Sequence, residues 1–220
     1  MTAREAILGR IRGALERSGT DRGENSPVNA SHVRALLPAT GGSFEERLEQ
    51  FRTNALELRA EFHLVDSPFS LQARVRALRD AEGWRKIGSH HGPLTEMGCS
   101  AAGVPVVWTD SAYDSRELEP CEAGITSCDA LVAQTGSVLL ASRSAGGRAL
   151  SVLSPHHIVI ARRDQLVADL PAALELLREK YAPDYPSFIS LVTGPSRTGD
   201  IERILVLGAH GPKKLTILCL

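Results

Sequence analysis

The chain has 220 residues, 43% of them hydrophobic, enough to bury one substantial core with an appended segment. Its 25 basic and 26 acidic residues are spread through the sequence and leave a formal charge of −1, which argues against a nucleic-acid partner. No apolar run reaches about 18 residues, and no basic stretch with an apolar signal core opens the chain, so the reading is a cytoplasmic protein without membrane insertion.

The first predicted element is a helix. Thr2-Ala3-Arg4-Glu5 has capping-box spacing, and Ile7, Leu8, Ile11 and Leu15 follow on one helical face. From Ser18 to Gly42 the composition turns to Gly, Ser, Asn and Pro, so residues 1–42 are expected to form a helix and linker arm and residues 43–220 an α/β core. Ser43-Phe44-Glu45-Glu46 is a second capping box, and Phe44, Leu48, Phe51, Ala55, Leu58 and Phe62 recur at the spacing of a long amphipathic helix. A further helix is expected over 70–82, with Leu71, Val75 and Leu78 inward and Gly83 as its stop.

From Trp84 onward strands dominate. Apolar runs predict them at 84–88, 104–108, 124–127, 130–133, 138–142, 158–161, 188–192, 204–207 and 215–220. Asp169-Leu170-Pro171 opens one more helix, whose Leu170, Leu174, Leu177 and Tyr181 share a face. The alternation predicts a layered α/β sheet.

Three loops at strand ends are the candidate functional segments. Ala133-Gln134-Thr135-Gly136-Ser137 is either a hairpin turn, because glycine accepts positive φ, or a loop presenting Gln134, Thr135 and Ser137 to a cleft. Thr193-Gly194-Pro195-Ser196-Arg197-Thr198-Gly199-Asp200 follows an apolar strand. It offers backbone N–H groups together with Ser196, Arg197 and Thr198, donors suited to a carboxylate or phosphate. It lacks the P-loop and GxGxxG patterns, and a structural turn in which Asp200 pairs with Arg197 is the competing reading. In Gly208-Ala209-His210-Gly211-Pro212, His210 is either a proton-transfer residue or a turn histidine bonded to backbone. His90-His91 and His156-His157 are adjacent pairs without metal-site spacing, so no metal site is expected. Cys99, Cys121, Cys128 and Cys219 are scattered, with no CxxC pair, and read as buried free thiols in a chain that carries no iron–sulfur cluster.

Taken in order, Gly124-Ile125-Thr126, then Asp129-Ala130-Leu131-Val132-Ala133-Gln134-Thr135-Gly136-Ser137, Thr193 to Glu202 and Gly208 to Pro212 resemble the LUD-domain family, in its lactate-utilization protein C branch. The resemblance spans about 43–220, and the leading helix is also similar to the family's. It implies a three-layer α/β/α sheet like that of the glucosamine-phosphate isomerase, ribose-phosphate isomerase and CoA-transferase group. It further implies a role, beside iron–sulfur partner proteins, in oxidising L-lactate to pyruvate. Proteins of this type usually carry an acid where this chain has Gln134. Two readings stay open: a non-redox subunit that binds partners and a small carboxylic acid, or a small-molecule enzyme with CoA-transferase-like or formyltetrahydrofolate cyclo-ligase-like chemistry, whose cofactor the sequence does not identify. Small-acid binding falls to Thr193, Gly194, Ser196, Arg197 and Thr198 with Gln134, Thr135 and Gly136, and catalysis to His210.

Overall fold

The structure, a computed structural model, describes residues 3–18, 37–198, 206–208 and 210–220. Met1–Pro38 and Ala39–Leu220 form two compact units. The first contains helix α1 (Ala3–Ser18), on which Ile7, Leu8 and Ile11 are exposed. Most of the expected linker, residues 19–36, lies outside the described residues.

The second unit opens as its capping box dictates. The Ser43 side chain accepts from the Glu46 N–H, and the Glu46 carboxylate accepts from the Ser43 N–H, which starts α2 (Phe44–Glu57). The helix ends earlier than its apolar spacing suggests. Phe62 sits in strand β1 (Glu61–Leu64), where it still meets Phe51 edge-on at 5.2 Å between ring centroids. A residue that suits a helix face suits a half-buried strand equally well, and pairing with the C-terminal strand decides between them.

The next helix, α3 (Pro68–Glu82), is capped by Ser67 and ended by Gly83, with Leu71, Val75 and Leu78 buried. Strand β2 (Ile87–Ser89) leads into α4 (Pro93–Ala102), a helix that the sequence reading lacked, and then β3 (Val106–Trp108). Its helical stripe is short and its residues are small: Gly98, Cys99, Ala101 and Ala102 are buried, and Gly98 lies so near Ile160 that an added Cβ would stand 2.7 Å from its side chain.

The remaining elements are β4 (Ala123–Thr126), β5 (Ala130–Val132), β6 (Ser137–Ala141), α5 (Leu150–Leu153), β7 (His156–Ala161) and β8 (Leu166–Val167). They are followed by α6 (Leu170–Tyr181), β9 (Ile189–Val192), the β10–β11 hairpin (Arg197–Thr198 with Val206–Leu207) and β12 (Lys214–Cys219). Residues 204 and 205 of the predicted 204–207 strand lie outside the described residues. On α6, Leu177 and Tyr181 face inward as their spacing predicts, but Leu174 is 60% exposed. The buried stripe runs through Ala173 instead, because the helix lies close on a sheet face of small residues.

Six strands form a parallel sheet in the order β1-β12-β7-β4-β2-β3. Helices α3 and α4 cover one face, packing on Ile125, Ile158, Ile160 and Leu218. The opposite face is not covered by helices alone. There α2 shares the layer with a second sheet, ordered β8-β5-β6-β9, whose Leu131, Val138 and Leu140 meet Val159 and Ile217 of the first. The alternate residues of that second sheet, Ala130, Val132, Leu139 and Ala141, turn outward onto α6. The second unit is thus a mixed α/β fold with a parallel sheet and one more β-layer than a three-layer sandwich.

Candidate functional site

In an open parallel sheet the crevice for a ligand lies beyond the carboxyl ends of the strands, where the strand order reverses. Here the chain steps from β2 outward to β3, then returns to β4 and proceeds the other way through β7 and β12. The reversal falls between β2 and β4. The residues that follow those strands, His90 and Ser127, line a cleft of about 320 Å³ together with Arg162, which follows β7, and Lys180 near the end of α6.

The wall of this cleft is held from behind by buried groups. The Asp129 side chain has no solvent exposure and accepts from Lys180 Nζ at 2.6 Å, Tyr181 Oη at 2.8 Å and Ser144 Oγ at 2.7 Å. Desolvation works against the Lys180 ammonium, but the hydrogen bond and charge of Asp129 outweigh it and raise its pKa, so the amine stays charged. Lys180 remains 48% exposed. The Ser127 N–H donates to His90 Nε2 at 3.1 Å, which makes that nitrogen the unprotonated one and leaves Nδ1–H to donate to the His91 carbonyl at 3.0 Å. Ser127 Oγ lies 3.2 Å from the same Nε2 and donates to the Ser144 carbonyl at 2.9 Å. Burial pushes the His90 imidazole below its ordinary range and keeps it neutral.

His91 is oriented differently. Its ring stacks on Trp108, 4.2 Å between centroids and 18° from parallel, and Nδ1 meets Asp110 Oδ1 at 3.0 Å. The His91 backbone N–H donates to the other Asp110 oxygen at 2.8 Å. Burial opposes the Asp110 charge, yet these two hydrogen bonds hold its carboxyl below the usual range. With Nδ1 committed as donor, Nε2 is the nitrogen left for a ligand. At the adjoining end of α4, Gly92 supplies no side-chain cap and its own N–H is bonded to Glu96 Oε1 at 3.1 Å, so the first-turn N–H groups left to face the cleft are those of Leu94 and Thr95. The cleft is therefore lined by cationic donors, an ammonium and a guanidinium, beside a helix amino terminus.

The three loops singled out in the sequence are linked to one another, away from this cleft. Ser137 Oγ and Thr193 Oγ1 lie 2.8 Å apart; the Ser196 N–H donates to the Pro212 carbonyl at 2.8 Å, and the Gly208 N–H to the Ser196 carbonyl at 2.9 Å. Lys213, next to Pro212, bonds to the Pro155 carbonyl just before β7 and β12 begin, so the Ser196–Pro212 contact belongs to the amino end of the parallel sheet. Six strand residues, about 20 Å, separate the two ends.

Within that group Gln134 accepts from the Leu170 N–H at the start of α6, and its backbone carbonyl, like that of Ala133, accepts from Asn54 Nδ2. Gly136 takes the positive φ of the β5–β6 turn, 65°. Among the described residues Thr135 Oγ1 is buried without a partner. Gly194 packs on the Leu58 carbonyl. Arg197 is exposed opposite Leu207, and His210 is exposed in the turn after β11. The side chain of Thr198, and all of Asp200, lie outside the described residues.

The residues of the cleft carried faint sequence signals. His90-His91 drew attention only as a metal pair, while among the described residues no cluster of histidine, cysteine and acid side chains has metal-binding geometry. Asp129 was visible as one acid in an apolar run, and nothing local announces that Lys180, 51 residues away, is its partner.

Comparison with known proteins gives consistent results. The LUD domain family matches residues 104–220. Lactate utilization protein C of Bacillus subtilis is 36% identical over 96% of this chain and 92% of its own. The protein of the same name from Deinococcus radiodurans is 31% identical over 88% and 90%. A crystal structure of a DUF162 family protein from Deinococcus radiodurans superposes with a TM-score of 0.59 at 24% identity, covering 80% of this chain and 98% of that one, which shows a shared fold.

Proposed function

The chain belongs to the LUD-domain family, and from that premise we propose that it is a non-redox component of a cytoplasmic L-lactate utilization system, acting beside iron–sulfur partner proteins that oxidise L-lactate to pyruvate. The observation that carries this reading is the match, over about nine-tenths of both chains, to relatives named for lactate utilization. The cysteines support its non-redox part. They fall in three separate apolar clusters, Cys128 and Cys219 in one, Cys99 and Cys121 each in another. Burial raises all four thiols, Cys99 and Cys219 to about 11, so none is a ready thiolate ligand. The contribution of this subunit is then binding, at the carboxyl end of the parallel sheet. Within this reading the fold belongs with the isomerase and CoA-transferase group.

Deleting the gene and growing the cells on L-lactate as sole carbon source tests the role. Growth is expected to fail and to return on complementation. Growth equal to the parent strain, in a background without another lactate dehydrogenase, would sink the proposal. Affinity purification of the full chain from lactate-grown cells is expected to recover iron–sulfur proteins in fixed ratio.

A further inference from the structure

The lining of the cleft specifies a kind of ligand. Among the described residues no carboxylate lines it. Asp129 is buried behind the wall and accepts from Lys180, Tyr181 and Ser144, and the partly exposed Asp110 is engaged by the ring and backbone N–H of His91. Arg162 engages Asp164 through Nε only, at 2.9 Å, which leaves its terminal amino groups, the pair suited to a carboxylate or phosphate. Lys180 adds a second fixed charge, and the first turn of α4 adds the Leu94 and Thr95 N–H groups, Pro93 having none and the Gly92 N–H being bonded to Glu96 Oε1. A volume of about 320 Å³ is at the small end of ligand pockets, so the occupant is a small molecule.

A second polar feature stands beside these donors. His91 is held by stacking on Trp108 and by two hydrogen bonds to Asp110, more restraint than an idle surface histidine needs, and its unprotonated Nε2 remains to accept from a ligand hydroxyl.

We propose that the cleft binds a small organic anion with a hydroxyl next to its charged group, the charge held by Arg162 and Lys180 and the hydroxyl donating to His91 Nε2. Placing the ligand here rests on reading the chain as a binding component; its chemical class rests on the lining alone. The source of the charge, carboxylate or phosphate, is separated by the choice of probes.

The test is calorimetric titration of the full chain with L-lactate, pyruvate, propionate and inorganic phosphate. L-lactate is expected to bind about tenfold or more tightly than propionate or pyruvate, neither of which offers a hydroxyl proton to His91 Nε2. Arg162→Gln, at an exposed position, is expected to weaken that binding by about tenfold or more while circular dichroism stays unchanged. His91→Phe keeps a flat ring against Trp108 and is expected to erase most of the preference over propionate. Lys180→Gln is the less useful variant because it strands Asp129 in the interior. Phosphate binding more tightly than either acid would overturn the organic-acid class. No heat from any probe at millimolar concentration, or equal affinities in the parent and both variants, would overturn the site. Loss of growth on L-lactate without acid binding would remove this inference and keep the pathway role; acid binding with a silent deletion would do the reverse.

Discussion

Asp129 shows how one buried charge organises a wall. Its carboxylate is withdrawn from water entirely, while its partner Lys180 is half in solvent, so the two sides of the pair are not equivalent. Lys180→Met removes the exposed partner and leaves a buried carboxylate with only two neutral hydroxyl donors, at a cost of about 3 kcal/mol. Asp129→Asn leaves an ammonium that can rehydrate, and is expected to cost less, about 2 kcal/mol. Urea unfolding of the two variants checks the order; equal costs would mean that the hydroxyl network, not the charge, carries the wall.

His156 and His157 make the same point for protons. Both are buried on β7, bonded through Nε2 to Thr216 and Thr126, and burial lowers them from 6.5 to about 4 and about 3. Because the unfolded chain protonates first, their contribution is complete above about pH 6.5 and is lost as pH falls toward those folded values. Each adds a slope of about 1.4 kcal/mol per pH unit within that window. A series of urea midpoints from about pH 7.5 to 4.5 should fall accordingly, with a shallower fall in His157→Gln.

Among elements, the C-terminal half of α2 is what the β5–β6 hairpin rests on. Asn54 Nδ2 reaches two hairpin carbonyls, at 2.9 and 3.0 Å, across 79 and 80 residues of sequence. Removing it in Asn54→Ala leaves both carbonyls short of a donor and should cost about 2 kcal/mol. Gly136 sits against the same helix turn, where an added Cβ would stand 2.6 Å from the Ala55 nitrogen. Gly83 has nearly the same φ, 68° against 65°, with nothing within 4 Å. Gly83→Ala is therefore expected to cost about 1 kcal/mol, the conformational part alone, and Gly136→Ala clearly more, because the helix backbone cannot give way. Equal losses of thermal stability would show that the hairpin shifts to admit the methyl group.

For the molecule as a whole, β7 is the center of gravity. Every residue of it is buried, β12 and β4 pair on either side, and its two faces feed the two largest apolar clusters. Native-state hydrogen exchange should find its amides the slowest, opening only with global unfolding, while the edge strands β1, β3 and β9 exchange through local opening. Faster exchange in β7 than in β9 would indicate that the second sheet, and not the parallel one, is the stable nucleus.

The sequence by itself determined what depends on near neighbours. The Ser43 cap with Glu46, the Asp169 start of α6, the Gly83 stop, the Thr135-Gly136 turn and most strand positions follow from side-chain oxygens, glycine and alternating apolar residues acting within a few positions of each other. The ordered loop motifs likewise carried the family. Tertiary structure alone decided the rest. Phe62 became a strand residue because β12, more than 150 positions away, pairs with it. Small residues made α4 inconspicuous until Ile160 closed on Gly98. The candidate cleft belongs to residues that follow β2, β4 and β7 and meet only because the strand order reverses between β2 and β4. Sequence spacing encodes the 3.6- and 2-residue periods of local elements, whereas a crevice is made by which strands become neighbours, and that is settled when the sheet assembles.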